Sequence, residues 1–148
     1  MRAPSTSTPR NSRLPAGIYR ANSTLVDEDG NPARIQGLFT SRRIPYLTTI
    51  GEYFGERLTV EQAQHRNSNY QFEVRKFRSK EVEFVLDGKY LKHSSFVRFV
   101  NAANDITEQN CKFELRDKRI FLVARRDIPA HSELLAWYGE QTAELVAQ

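Results

Sequence analysis

Few residues of this chain have the spacing of a catalytic constellation. The three histidines, His65, His93 and His131, stand apart, and none has metal-ligand spacing to another histidine or to Cys111. Isolated histidines of this kind are surface or loop residues far more often than ligands. Ser94 and Ser95 follow His93, but no Gly-x-Ser-x-Gly elbow surrounds them. Their better reading is as hydroxyls that cap the apolar segment behind them. The glycines form neither Gly-x-Gly-x-x-Gly nor a phosphate loop. Glu52 and Glu56 in "GEYFGE" flank an aromatic pair and share a face at strand period. A solvated strand edge explains them better than acid–base chemistry.

One stretch does ask for a function. "SSFVRFVNAAND", residues 94–105, is apolar and aromatic around Arg98 and Asn101. Polar groups pressed into an apolar segment must find partners. Read alone, Asn101 is a plain turn residue.

Short strands must position these residues. "GIYR" (17–20) precedes the turn "DEDGNP" (27–32), and "ARIQGLFTSRRIP" (33–45) and "LTTIGEYFGERLT" (47–59) follow. "TVEQAQHRN" (59–67) opens with a capping box, Thr59 with Gln62. "YQFEVRKF" (70–77) alternates with Tyr70, Phe72 and Val74 on one face, and "VEFVLDG" (82–88) ends in an Asp-Gly turn. "CKFELRDKRIFLVAR" (111–125) predicts a hairpin about Asp117-Lys118. "HSELLAWYG" (131–139) is a last apolar segment, and "EQTAELVAQ" is helix-permissive. No internal repeat is visible. The pattern predicts a mostly β (α+β) single domain with little parallel sheet, over residues 15–148. Residues 1–14, Ser/Thr/Pro-rich with arginines and no acid, read as a disordered tail.

The bulk composition narrows the classes. In 148 residues, 39% hydrophobic content supports a real core. The net charge of +4 alternates along the chain instead of forming a basic stripe. Direct nucleic-acid binding is therefore not expected. A single cysteine excludes a disulfide framework and a Cys-x-x-Cys zinc site, so no metal is expected and the compartment is reducing. No run approaches a membrane span, and no signal-peptide core is present.

Three blocks in this order resemble a SET domain, the fold of protein lysine methyltransferases. "GLFTSRRIPYLTTIGEYFGERLT" (37–59) resembles the family's opening, "RFVNAAND" (98–105) with "EQNC" (108–111) its buried Arg-Phe-x-Asn segment, and "ELLAWYG" (133–139) its terminal Tyr-Gly motif. The absence of histidine after Asn101, and Trp137 before Tyr138, are similar to the PR branch. PR domains usually precede zinc fingers. The resemblance implies a SET-domain β-clip fold of several short antiparallel sheets. It also implies a knot-like C-terminal crossing, with segment 98–104 under the last stretch and Arg98 satisfying buried acceptors.

The implied activity is methyl transfer from S-adenosylmethionine to a lysine of a protein, with histone tails the expected substrate and chromatin in the nucleus the expected setting. Tyr138 would be the catalytic residue, with Tyr70 as a second channel tyrosine or merely a cross-strand aromatic. Ile35, Gln36, Gly37 and Phe39 would wrap the cofactor, and Asn101 and Ala102 would hold its amino-acid end and adenine. Such chemistry is alignment and desolvation, with no strong general base. Glu52, Glu56, Asp87 and Glu108 are candidates for an acidic groove.

Four departures keep an alternative open. Ile35 replaces a loop glycine and with it a position tolerant of positive φ, Ala102 a histidine, Leu122 and Ala136 channel aromatics, and no zinc-binding cysteine cluster follows. Helix-like "TAELVAQ" would then close the cofactor side. The alternative is a catalytically weak or inactive PR/SET domain that recruits partners. A β-rich interaction domain without cofactor is a third reading.

Overall fold

The computed structural model describes residues 13–68, 71–76, 78–89, 95–103 and 105–136, and the backbone of 142–144. Strands β1 (Ile18–Asn22) and β2 (Gln36–Thr40) form an antiparallel ribbon. β3 (Thr49–Tyr53), β9 (Arg119–Ala124), β8 (Cys111–Arg116), β10 (Leu135–Ala136) and β7 (Asn101–Ala102) lie in that order in a five-stranded sheet. β11 (Thr142–Glu144), β5 (Gln71–Arg75), β6 (Val82–Asp87) and β4 (Glu56–Leu58) form the third sheet. Helix α1 (Val60–Gln64) and two 3₁₀ turns, Phe96–Phe99 and Ile106–Glu108, complete the described elements.

Local sequence accounts for much of this. Thr59 and Gln62 form the expected capping box on α1. Phe72 and Val74 of β5 are buried, as their alternation requires. Asp117 (φ 50°) and Lys118 (φ 62°) turn the β8–β9 hairpin with positive φ at both positions, the primed turn that matches strand twist. Ser95 caps the 3₁₀ turn behind it: its Oγ accepts from Val97 N–H and donates to the Glu52 carbonyl at 2.5 Å. The core gathers Leu38, Val74, Val97, Ile120, Leu122 and Leu134 about an edge-to-face cluster of Tyr53, Phe72 and Phe113.

Non-local contacts decide the rest. Segment 47–59 breaks into β3 and β4 in different sheets, so Glu52 and Glu56 share no strand. The break falls at Phe54-Gly55, where a Cβ on Gly55 would lie 2.9 Å from the Asp87 backbone. The Asp-Gly turn after β6 carries a fully buried Asp87, which accepts from Ser68 Oγ (2.8 Å), Lys89 N–H (2.8 Å) and Gln71 Nε2 (3.3 Å). "EQTAELVAQ" is not helical at its centre: Thr142–Glu144 pairs in parallel with β5, and strand pairing overrides a weak helical preference. The sheets are thus antiparallel in their hairpins and parallel where C-terminal strands join them. β10 lies between β7 and β8, parallel to both, with Leu135 opposite Asn101 and Ala136 opposite both Ala102 and Cys111. That is the backbone relation of the expected crossing.

Two Ile-Pro turns meet at the edge of the core, where Ile44 and Ile128 exchange backbone hydrogen bonds at 2.9 and 2.8 Å. The first is closed by Thr48 N–H on the Pro45 carbonyl at 3.2 Å. Its third residue, Leu47, has φ 69° and is 53% exposed. Glycine is the usual occupant of that left-handed position, and a Cβ there costs about 1–2 kcal/mol.

Leu47→Gly is therefore expected to leave stability unchanged or raise it by up to about 1 kcal/mol, whereas Leu47→Val lowers it by at least about 1 kcal/mol. Urea denaturation of the three proteins decides this, and a destabilised Leu47→Gly would refute the strained geometry. Burial pushes the Cys111 thiol up to about 12, with Arg126 opposing weakly. Its folded-state pKa exceeds the unfolded value, so the neutral thiol contributes stability below that unfolded value, and this is lost as pH rises toward 12. A thiol reagent at pH 8 should label Cys111 only at the rate of unfolding, and fast labelling of the native protein would contradict its burial.

Candidate functional site

The densest polar arrangement in the described residues is built on Glu133. The antiparallel bridge between Phe39 and Glu133, with Leu134 N–H on the Leu38 carbonyl (2.8 Å), lays this segment along β2. Only 5% of Glu133 is exposed. Its carboxylate accepts from Ser23 Oγ at 3.0 and 2.8 Å, Thr24 N–H at 2.8 Å, Thr24 Oγ1 at 2.7 Å and Asn101 Nδ2 at 3.1 Å. A buried carboxylate is tolerated only with donors of this kind. Asn110 fixes the adjoining backbone, donating from Nδ2 to the Glu133 carbonyl and accepting from Leu135 N–H, both at 2.8 Å.

Gly37 and Asn101 meet at this carboxylate. A Cβ on Gly37 would run into Glu133 Oε2 and would lie 3.1 Å from Asn101 Nδ2. Asn101 Nδ2 also donates to the Gln36 carbonyl at 2.9 Å, joining β2 to β7. Asn101 is half-buried, and its Oδ1 accepts from no described residue. Gln36 Nε2 donates to Asn22 Oδ1 at 2.7 Å. Ile35 is 45% exposed, and its carbonyl accepts from Ser23 N–H at 2.8 Å. Phe39 is buried and stacked on Tyr19 at 5.5 Å. Ala102 is exposed beside Asn101. Ile35, Gln36, Gly37 and Asn101 thus converge, and Phe39 and Ala102 flank them. Tyr138 and Tyr70 lie outside the described residues. Arg98 stands with its guanidinium 5.3 Å from the Phe99 ring, whose centroid Arg20 approaches at 4.1 Å.

The departures acquire physical meaning here. Ile35 has no positive φ; the left-handed step is taken one residue earlier by Arg34 (φ 58°). Gly37 has no positive φ either, and its requirement is space. Leu122 and Ala136 are fully buried within the core. Glu133 and Asn110 lie in the blocks that carry the resemblance, but their hydrogen bonding to each other's segments, and that of Ser23 and Thr24 to the Glu133 carboxylate, is not readable from those motifs. The one visible signal is a lone acid inside the apolar run "ELLAW".

Each of the four acidic candidates is engaged, and Glu56 and Asp87 stand opposite each other across β4 and β6. Glu52 holds Arg119 at 2.5 Å, Glu56 holds Arg66 at 2.9 Å, Asp87 is buried, and Glu108 Oε1 accepts from Asp105 N–H at 3.3 Å. Among the described residues no group of histidine, cysteine, aspartate and glutamate could hold a metal ion. No helix among them is long and apolar enough to cross a membrane.

Comparison with known proteins gives concordant matches. A sequence profile of the PR domain of PR domain zinc finger protein 2 matches residues 24–148. Proteins of Bos taurus and Homo sapiens, each named "Putative histone-lysine N-methyltransferase PRDM6", are 30% identical over 130 residues, covering 86% of this chain and 21% of theirs. PR domain zinc finger protein 4 of Mus musculus is 26% identical over 113 residues, 74% of this chain and 14% of its own. The chain therefore spans about a fifth or less of the length of these relatives. The solved methyltransferase domain of human PR domain-containing protein 2 superposes with a TM-score of 0.66 at 19% identity, covering 90% of this chain and 80% of that one. The two share the fold.

Glu133→Ala should lower the unfolding free energy by about 3 kcal/mol, because it strands buried donors of Ser23, Thr24 and Asn101. Gly37→Ala should cost about 1–3 kcal/mol by overpacking against the same carboxylate. The double variant should fall short of the sum, because both changes disrupt one contact. Urea titrations measure all three, and strict additivity would show that Gly37 and Glu133 do not touch.

Proposed function

The chain belongs to the PR-domain family of SET folds, and on that premise we propose that it is an S-adenosylmethionine-dependent protein lysine N-methyltransferase. The observation that carries the reading is the meeting of Gln36, Gly37 and Asn101 at Glu133, with Asn101 Oδ1 presented beside exposed Ile35 and Ala102. An amide oxygen held in place by its own Nδ2 suits the ammonium of an amino-acid ligand. When bound, S-adenosylmethionine supplies an electrophilic methyl group. Gln36 and Gly37 would offer backbone groups to it, Ile35 apolar surface with buried Phe39 backing the same strand, and exposed Ala102 the approach to its adenine.

The chain's own contribution to the reaction is positioning. Lysine has an ordinary pKa of about 10.4, and burial of its ammonium in a dry channel lowers that value. Tyr138 would orient the amine through its phenol, and Tyr70 is a second tyrosine for the same channel. Residues 15–148 would form the PR/SET unit and residues 1–14 a tail. The expected substrate is a histone tail, and the expected setting is chromatin and transcription control in the nucleus, in keeping with the names of the relatives. Direct nucleic-acid and membrane binding form no part of this reading.

A second reading has its own observation. Leu122, where a channel aromatic was expected, is fully buried in the core, so aliphatic packing occupies that position. A weakly active or inactive domain that recruits proteins would need no more.

Calorimetry with S-adenosylmethionine separates the two. Wild type and Tyr138→Phe are expected to bind, and Asn101→Ala at least about tenfold more weakly, a loss of about 1.4 kcal/mol. Mass spectrometry of histone peptides should show methylation by wild type and at least about a hundredfold less by Tyr138→Phe, since orientation carries the rate. Absence of binding at millimolar cofactor would sink the enzymatic reading and leave the recruiting one.

A further inference from the structure

We propose that the turn at residues 45–48 and the cleft beside it are a docking site for an acidic segment of a protein partner, anchored by one large apolar side chain. The cleft has a volume of 210 Å³, with Ile18, Ile44, Pro45 and Ile50 among its walls and Arg42 and Arg43 on its lining. That volume is below the range of cofactor and drug pockets and suits a single side chain. Gln36, Gly37, Asn101 and Glu133 take no part in it.

The adjacent turn displays what a docking surface needs. Tyr46 is 58% and Leu47 53% exposed, both large and apolar and next to each other. The turn is rigid: Tyr46 N–H donates to Asp127 Oδ1 at 2.7 Å, and Leu47 N–H to the Ala124 carbonyl at 2.9 Å. A segment required only to turn would carry glycine at Leu47. Here a leucine is held outward in a left-handed conformation that disfavours it.

Charge selects the partner. Arg42 and Arg43 precede the turn, and Arg125 and Arg126 stand on the segment to which it is bonded; all four are exposed. The acid among them, Asp127, is engaged by Arg43 at 2.9 Å and by Tyr46 N–H. This face is therefore positive, repels a second copy of itself and a lysine-rich tail, and attracts carboxylates. Nucleic acid fits less well. The cleft walls, unlike Tyr46 beside them, are aliphatic and present no face on which a base could stack.

The test is an array of fluorescein-labelled decapeptides with a central Leu, Phe or Trp flanked by Asp and Glu, paired with Asn/Gln isosteres, and titrated by fluorescence polarisation. The acidic, apolar-anchored peptides should bind at least about tenfold more tightly than their isosteres. Binding should weaken about tenfold in Arg43→Glu and in Leu47→Gly, with circular dichroism and Tm showing both variants folded. S-adenosylmethionine should not alter it, so a failed methyltransferase reading leaves this one standing. Two results would overturn the proposal. One is no preference among the peptides. The other is equal binding by a duplex oligonucleotide that Leu47→Gly leaves untouched, which would make the surface a non-specific anion patch.

Discussion

A carboxylate removed from water constrains everything that touches it. Glu133 can be buried only where several donors converge, and those donors come from residues 23, 24 and 101, far apart in the chain. Satisfying one side chain therefore ties the approach to β2, the short strand β7 and the C-terminal segment to a common point. The same requirement leaves no room for a side chain at residue 37. It also holds the Asn101 amide in one orientation, since Nδ2 is committed to Glu133 and to the Gln36 carbonyl. Preorganisation of this kind lowers the cost of binding, because the ordering is completed during folding.

The crossing follows from the same anchor. β10 has a two-residue slot between β7 and β8, too short for its backbone bonds alone to hold it there. Asn110 adds bonds to both sides of Glu133–Leu135, and the Leu38 carbonyl adds another through Leu134 N–H. The segment is thus held by side-chain and cross-sheet contacts that exist only when the ribbon, β7 and β8 are already adjacent. Pairing of β10 with β7 and β8 joins strands distant in sequence, contacts of the kind that slow folding.

What was legible in the sequence was local. The Thr59–Gln62 cap, the alternation of Phe72 and Val74 and the Asp117-Lys118 hairpin each depend on residues within a few positions of one another. Gln36, Gly37 and Asn101 were legible only through family resemblance, and the structure brings them together. The sheet change at Gly55, the strand at 142–144 and the burial of Asp87 were not legible, since each is decided by a partner in another element. Glu133 was hidden for the same reason: an acid in an apolar run shows that partners must exist without saying which. The glycine requirement near Ile35 has a different physical cause from the one the resemblance implies. The missing glycine at Ile35 implied a lost left-handed position, yet Arg34 takes that conformation and Gly37 answers to space alone.

Holding a cofactor and reacting with a lysine place different demands on this fold. In the proposed reading the first would fall to backbone carbonyls, one amide and a glycine-sized gap, all fixed by a hydrogen-bonded carboxylate. None of these depends on the side chain at 35 or 102, so those two departures leave the polar framework intact. The second demand is for aromatic groups around an amine, and at Leu122 and Ala136 the chain supplies aliphatic packing inside the core. Aliphatic walls contribute desolvation but no directed contact to an amine. Selectivity for the orientation of a lysine must then come from fewer groups than a fully aromatic channel would provide. On the proposed reading, loss of one such group would reduce turnover while leaving the polar framework of Glu133 and Asn101 as it is, so cofactor binding and methyl transfer would vary independently.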